Sequence, residues 1–324
     1  MRNPLSKTIE QIKPSGIRKF FDIVSEMPHA ISLGVGEPDF DTPWHVRSEG
    51  IRSLEKGRTF YTSNSGLIEL RQEICKWYQR KYNVLYDYKT EALLTVGGSE
   101  GIDVALRAML DPGDEVIIPE PCYVSYVPCV QLIGAVPVTI ELKNENQFRL
   151  TPEELIAAIT DKTKILILAF PSNPTGAVMT KEDLEPIAKI CQEKDIYVIS
   201  DEIYSELTYG GQKHCSISSL PGMKERTIVI NGFSKAYAMT GWRLGYALAP
   251  EVIAHQMTKI HQFAIMCAPT TSQYAAIEAI KNGDADIEKM CKSYDQRRRF
   301  LLKKFEEIGL PCFEPHGAFY VIPC

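Results

Sequence analysis

ALLTVGGSEGIDVALRAML fills residues 92–110, and its reading decides the fold class. Residues 92–96 form an apolar run of strand length. Gly97 and Gly98 interrupt it, and apolar residues then recur at helical spacing through Leu110. A strand, a glycine turn and a helix in that order make half of a βαβ unit. Asp111-Pro112-Gly113-Asp114 is a turn by composition, and 115–118 reads as the next strand. Further outward, strand-like runs recur at 136–142, 164–170, 196–200, 227–231 and 244–249, with a helix over 184–194. This alternation predicts an α/β fold built on a mostly parallel sheet of seven strands between helices.

The chain ends read differently. Residues 1–45 are rich in proline and glycine, 286–308 form a charged amphipathic helix, and 317–322 carry a strand pattern. The 324 residues suggest about two domains. We expect a large domain over 46–285 and a smaller α+β domain assembled from 1–45 and 286–324. An apolar run at the end, stopping at Cys324 with nothing after it to cover it, predicts a parent protein that continues further.

Thirty-six basic against 41 acidic side chains give a formal charge of −5, too acidic for a general nucleic-acid binder. No apolar run approaches the ~18 residues of a membrane span. The start, MRNPLSKTIE, lacks the apolar core of a secretory signal. Nine scattered cysteines include no C-x-x-C pair, which reads as reduced thiols in a cytoplasmic protein with no structural metal.

In open α/β sheets ligands bind beyond the carboxyl ends of the strands. There the sequence places Gly97-Gly98-Ser99-Glu100, then Ser172-Asn173-Pro174-Thr175-Gly176, then Asp201 to Tyr204, then Ser234-Lys235 with Arg243 eight residues on. Each has a plainer reading when taken alone. The glycines make an ordinary turn, Asn173 another, Asp201 a cap or structural ion pair, and Lys235 and Arg243 solvated surface charges. Glu100 must aim its carboxylate away from any phosphate at this helix start. Together they give one anion site, one carboxylate, one amine, one amide and one guanidinium on a single sheet edge. Pyridoxal 5′-phosphate needs that set: a lysine for a Schiff base, an acid for the pyridine nitrogen, and phosphate donors.

The segments LGVGEPDFDTP (33–43), FYTSNSGLIELR (60–71), VGGSEGI (96–102), SNPTGAV (172–178), SDEIYSELTY (200–209) and SKAYAMTGWRLGYALAP (234–250) carry a resemblance. The chain resembles the class I, fold-type-I pyridoxal-phosphate aminotransferases, in the branch of bacterial aspartate and aromatic aminotransferases, from about residue 10 to the last residue. The resemblance implies that Lys235 forms the internal aldimine and serves as general base, and that Asp201 pairs with the pyridine N–H. It implies that Tyr204 and Asn173 bond the ring oxygen and that Tyr123 stacks on the ring. Backbone N–H groups of Gly98, Ser99 and Glu100, with Ser234 and Arg243, would hold the phosphate. Tyr61 would reach the cofactor of a neighbouring subunit in a homodimer. Gly36, Asn173 and Ile17 would meet the substrate. Two departures stand out. Gly232 occupies a position where many relatives carry a phosphate-binding Ser or Thr, and the family's arginine for the substrate α-carboxylate falls beyond residue 324.

The implied reaction moves an amino group from an L-amino acid to a 2-oxo acid, 2-oxoglutarate being usual, with ping-pong kinetics. A C–S lyase on the same fold is the alternative, since it would use the same lysine and aspartate. The aminotransferase-like effector domain of a regulator would need an attached helix-turn-helix segment, for which the start of this chain leaves no room. Ile17 leans toward aromatic or aliphatic donors over aspartate. Arg107 reads as a solvated helix face, and the run Arg297-Arg298-Arg299, with Glu306 and Glu307 following, as an ordinary charged helix and not a nucleic-acid site.

Overall fold

The computed structural model describes residues 2–14, 26, 27, 29, 34 and 36–323. Helices α1 (Lys7–Gln11), α2 (Trp44–Glu55) and α3 (Ile68–Tyr82) precede the sheet. Then follow β1 (Ala92–Thr95), α4 (Gly97–Met109), β2 (Glu115–Glu120), α5 (Tyr126–Leu132), β3 (Val136–Glu141), α6 (Pro152–Ala158), β4 (Thr163–Ala169), α7 (Lys181–Glu193) and β5 (Tyr197–Asp201). β6 (Thr227–Gly232), β7 (Gly245–Leu248), α8 (Glu251–Ala264), α9 (Thr270–Asn282) and α10 (Asp284–Glu307) complete the order. No helix of the described residues is long and apolar enough to cross a membrane.

The strands form one seven-stranded sheet in the order β1-β7-β6-β5-β4-β2-β3. The pairs from β6 to β3 are parallel, and β7 runs antiparallel to both β1 and β6. The strand side chains alternate between two cores, as the two-residue period requires. Leu93, Ile118, Ile165, Ile167, Ile199 and Ile230 pack toward α4, α5 and α8. Leu94, Val229 and Leu248 pack toward α3 and α9, while Ile117, Leu166, Leu168 and Val198 pack toward α6 and α7. Cover on both faces explains why the strands read as unbroken apolar runs. Helices α6 and α7 each open with a capping box, from Thr151 with Glu154 and from Thr180 with Asp183.

The strand expected at 317–322 does not form. Gly317 makes a single bridge to Thr208, and Pro323 one to Cys312. Ala318 has φ 55°, a left-handed conformation that ends an extended run. Its N–H donates to Leu207 O, and the Tyr209 hydroxyl donates to its carbonyl. The apolar residues here serve as packing for an aromatic cluster instead of a ladder.

Candidate active site

Asp201 is the last residue of β5, paired in register with Ala169 on one side and Ile230 on the other. Tyr126 donates its hydroxyl to Asp201 Oδ2 at 2.8 Å, and the Ile203 N–H donates to Oδ1 at 3.1 Å. Burial pushes the Asp201 carboxyl above its ordinary value, against the pull of those two hydrogen bonds and of Lys235. Lys235 lies just past the end of β6. Its amine donates to the Gly36 carbonyl and lies 5.6 Å from the Tyr204 ring centre and 5.4 Å from that of Phe319. Burial lowers this amine to about 8, with Arg243 adding to the fall and Glu37 and Asp201 opposing it. A half-buried amine and a buried carboxylate therefore feel each other's charge.

A second group of donors stands at the start of α4. Val96, the cap residue, supplies no side-chain acceptor. The N–H groups of Gly97, Gly98 and Ser99 lie before the first intrahelical bond and are left open. Glu100, fourth in the helix, spends its own N–H on the first helical turn, so Gly97 and not Glu100 completes the open set. Gly97 has φ 74°, and Arg243 Nη2 lies 2.7 Å from where a Cβ would stand. A side chain there would displace the guanidinium. Ser234 is buried beside Lys235, and Arg243 is exposed with Nη1 on Thr240 O at 3.1 Å.

The remaining expected residues divide. The Tyr204 hydroxyl lies 2.6 Å from that of Tyr320, and Tyr123 meets Tyr126 edge-on at 5.6 Å. Asn173 is partly buried in the turn after β4. Gly36 packs under Tyr320 so closely that a Cβ would overlap the ring. At Gly232 the backbone of Leu244 and Gly245 fills the place of a side chain, leaving no room for the hydroxyl that relatives carry. Tyr61 is 79% exposed beside an equally open Phe60. Ile17 lies outside the described residues. Arg107 pairs with Asp103 at 2.8 Å, Arg297 with Asp39 at 2.7 Å, and Arg298 with Asp295 and Glu314.

Sequence reasoning missed Tyr126, Phe319 and Tyr320. Tyr126 follows Tyr123 by one helical turn, the only hint that it faces the same edge. Phe319 and Tyr320 are hidden inside the strand-like run at the end of the chain.

Comparison with known proteins agrees with this geometry. The family model for aminotransferases of class I and II matches residues 28–323. The chain is 52% identical over 323 residues to "Putative aminotransferase YugH" of Bacillus subtilis (strain 168), covering 100% of this chain and 83% of that protein. It is 46% identical over 321 residues to the aspartate aminotransferase of Pyrococcus abyssi, covering 98% and 82%. The solved aromatic aminotransferase of Pyrococcus horikoshii OT3 superposes with a TM-score of 0.89 at 46% identity, over 94% of this chain and 82% of that one. The chain belongs to the class I and II aminotransferase family, as a fold-type-I enzyme that depends on pyridoxal 5′-phosphate.

Proposed function

We propose that the enzyme carries the amino group of an L-amino acid to a 2-oxo acid, with 2-oxoglutarate as acceptor, in a two-stroke ping-pong cycle centred on Lys235. The observation that carries this reading is a desolvated Lys235 amine, lowered to about 8, within the electrostatic reach of the buried Asp201. The donor set fits pyridoxal phosphate. Open N–H groups and a guanidinium meet at a glycine cradle that a Cβ would fill, and a carboxylate without a full set of partners lies within the field of the lysine.

When bound, the cofactor supplies an electron-poor ring able to take up the charge left on a substrate Cα. Lys235 would anchor it and, once freed by the incoming amine, move the Cα proton through Nζ. An amine near 8 is partly neutral at physiological pH and so can accept that proton. Asp201, kept dry by Tyr126 and the sheet, would keep a proton on the pyridine nitrogen. Gly97, Gly98, Ser99, Ser234 and Arg243 would hold the phosphate. Tyr204 and Asn173 would orient the ring oxygen, with Tyr123 stacked on the ring. Gly36, Asn173 and Ile17 would line the substrate side. Tyr61, too exposed to be explained by the single chain, would act across a homodimer interface. We read residues 46–285 as the large domain and 1–45 with 286–324 as the small one, and the scattered cysteines without a C-x-x-C pair support a cytoplasmic location.

For the donor, the aromatic cluster beside Lys235 supports an apolar or aromatic amino acid. Phe319 leads to Tyr294 at 5.4 Å and from there to Phe40 at 5.3 Å. Borohydride reduction of the loaded protein and peptide mapping test the anchor, and a label on any other lysine overturns it. A panel of amino acids, with and without 2-oxoglutarate, tests the reaction. Ammonia and pyruvate released from cystathionine without an acceptor would reject transamination.

A further inference from the structure

The turn assigned above to the phosphate also carries a negative charge of its own. Glu100 is within a side chain's reach of the open N–H groups at the start of α4. A helix start draws in the nearest anion, and a free Glu100 carboxylate would compete there or repel a phosphate. In the structure it is confined to the N–H of the cap residue and leaves those of Gly97, Gly98 and Ser99 open. Oε2 is turned back onto the Val96 N–H at 2.5 Å, and Oε1 receives His261 Nδ1 at 2.6 Å. The carboxylate can only accept, so Nδ1 is the donor.

His261 comes from the last turn of α8 and is fully buried. Its other nitrogen, Nε2, is a buried polar atom with no hydrogen-bond partner among the described residues. An imidazole left half unsatisfied in the core is a poor choice for packing alone, because an apolar side chain of like size would avoid that cost. Among the described residues its side chain's one hydrogen bond is with Glu100.

We propose that His261 is a positioning residue for the cofactor phosphate: it holds the Glu100 carboxylate on the Val96 cap N–H and off the N–H groups of Gly97, Gly98 and Ser99, leaving those three and Arg243 to the phosphate. This rests on the phosphate reading given above, and the test separates the two.

Apoprotein is titrated with pyridoxal 5′-phosphate, with pyridoxal, and with inorganic phosphate as competitor, and dissociation constants are read from absorbance and equilibrium dialysis. His261→Leu weakens pyridoxal phosphate and inorganic phosphate by about tenfold and leaves pyridoxal unchanged. Adding Glu100→Gln to His261→Leu restores phosphate affinity, because the competing charge is gone. His261→Gln, which keeps an N–H donor, stays near the parent. If His261→Leu does not fold, Glu100→Asp serves instead, since it keeps the charge but shortens its reach to His261, and the same selective loss is expected. Equal loss of pyridoxal and pyridoxal phosphate, or no rescue by Glu100→Gln, marks the histidine as merely structural and overturns the proposal. Arg243→Leu decides the underlying reading. If it leaves the preference for the phosphorylated form intact, the phosphate site is misplaced. If it removes that preference while His261→Leu does not, only the role of His261 falls.

Discussion

Asp201 and Glu202 are adjacent in the chain and both buried, yet their surroundings differ in kind. Glu202 receives hydroxyls from Ser200 and Ser216 on one oxygen and from Tyr78 on the other, with His214 Nε2 3.4 Å away. Asp201 receives one phenol and one backbone N–H, and it feels the charge of the Lys235 amine. A carboxylate with three hydroxyl donors has nothing left to do but hold loops together. A buried carboxylate with fewer partners, within the field of a desolvated lysine, has acceptor capacity left for the ring nitrogen proposed above.

Substitutions can break or sharpen this contrast. Lys235→Ala should lower turnover by at least about 10⁴-fold, measured by stopped-flow single turnover, with no drop in thermal midpoint. Asp201→Asn, at the open carboxylate, should cost about 10²–10³ in kcat while the fold persists, read by kinetics beside calorimetry. Glu202→Ala should give the reverse pattern. It strands buried hydroxyls at about 1–3 kcal/mol each, so urea titration should show a large stability loss while turnover per folded molecule changes little. If Glu202→Ala instead removes activity from a stable protein, the contrast is wrong. Tyr126→Phe takes one donor from Asp201 and should lower kcat about tenfold, the kinetic equivalent of ~1.5 kcal/mol.

The smallest effect is in pH dependence. Lys235 titrates near 8 when folded and at an ordinary 10.5 when unfolded. Between those values the unfolded chain binds more protons, so apoprotein stability rises with pH across that window. Asp201 is shifted the opposite way: the folded state holds its proton longer, and stability falls as pH climbs from 3.8 through the raised value. Urea midpoints against pH should show both slopes in the parent, the first lost in Lys235→Ala and the second in Asp201→Asn.

Much of this was legible in the chain, for a local reason. Strand runs, glycine turns and the residues directly after each strand are near neighbours in sequence, so 92–110 and the Asp201 to Tyr204 segment could be placed before any contact was known. Observed strands differ from expectation by a residue or two at their ends, as at β5, which runs one residue further to include Asp201. The partners could not be read. Tyr126 reaches Asp201 across 75 positions and His261 reaches Glu100 across 161, and neither has a motif of its own. The run 317–322 misled because apolar alternation does not tell a ladder from a packed turn. The left-handed Ala318, not the pattern, decides it.

The reversal of β7 has one more consequence. Lys235 and Arg243 both lie on the connection between β6 and β7, whose ends are fastened by the register pairs Val229 with Leu248 through Gly232 with Gly245. The proposed anchor and the guanidinium are thus two marks on one fixed loop, like the jaws of a caliper. Its length cannot drift without spoiling their spacing. A protein engineer wishing to split or permute this enzyme should leave residues 233–244 whole and open the chain elsewhere, for instance at the exposed Asn144 and Glu145.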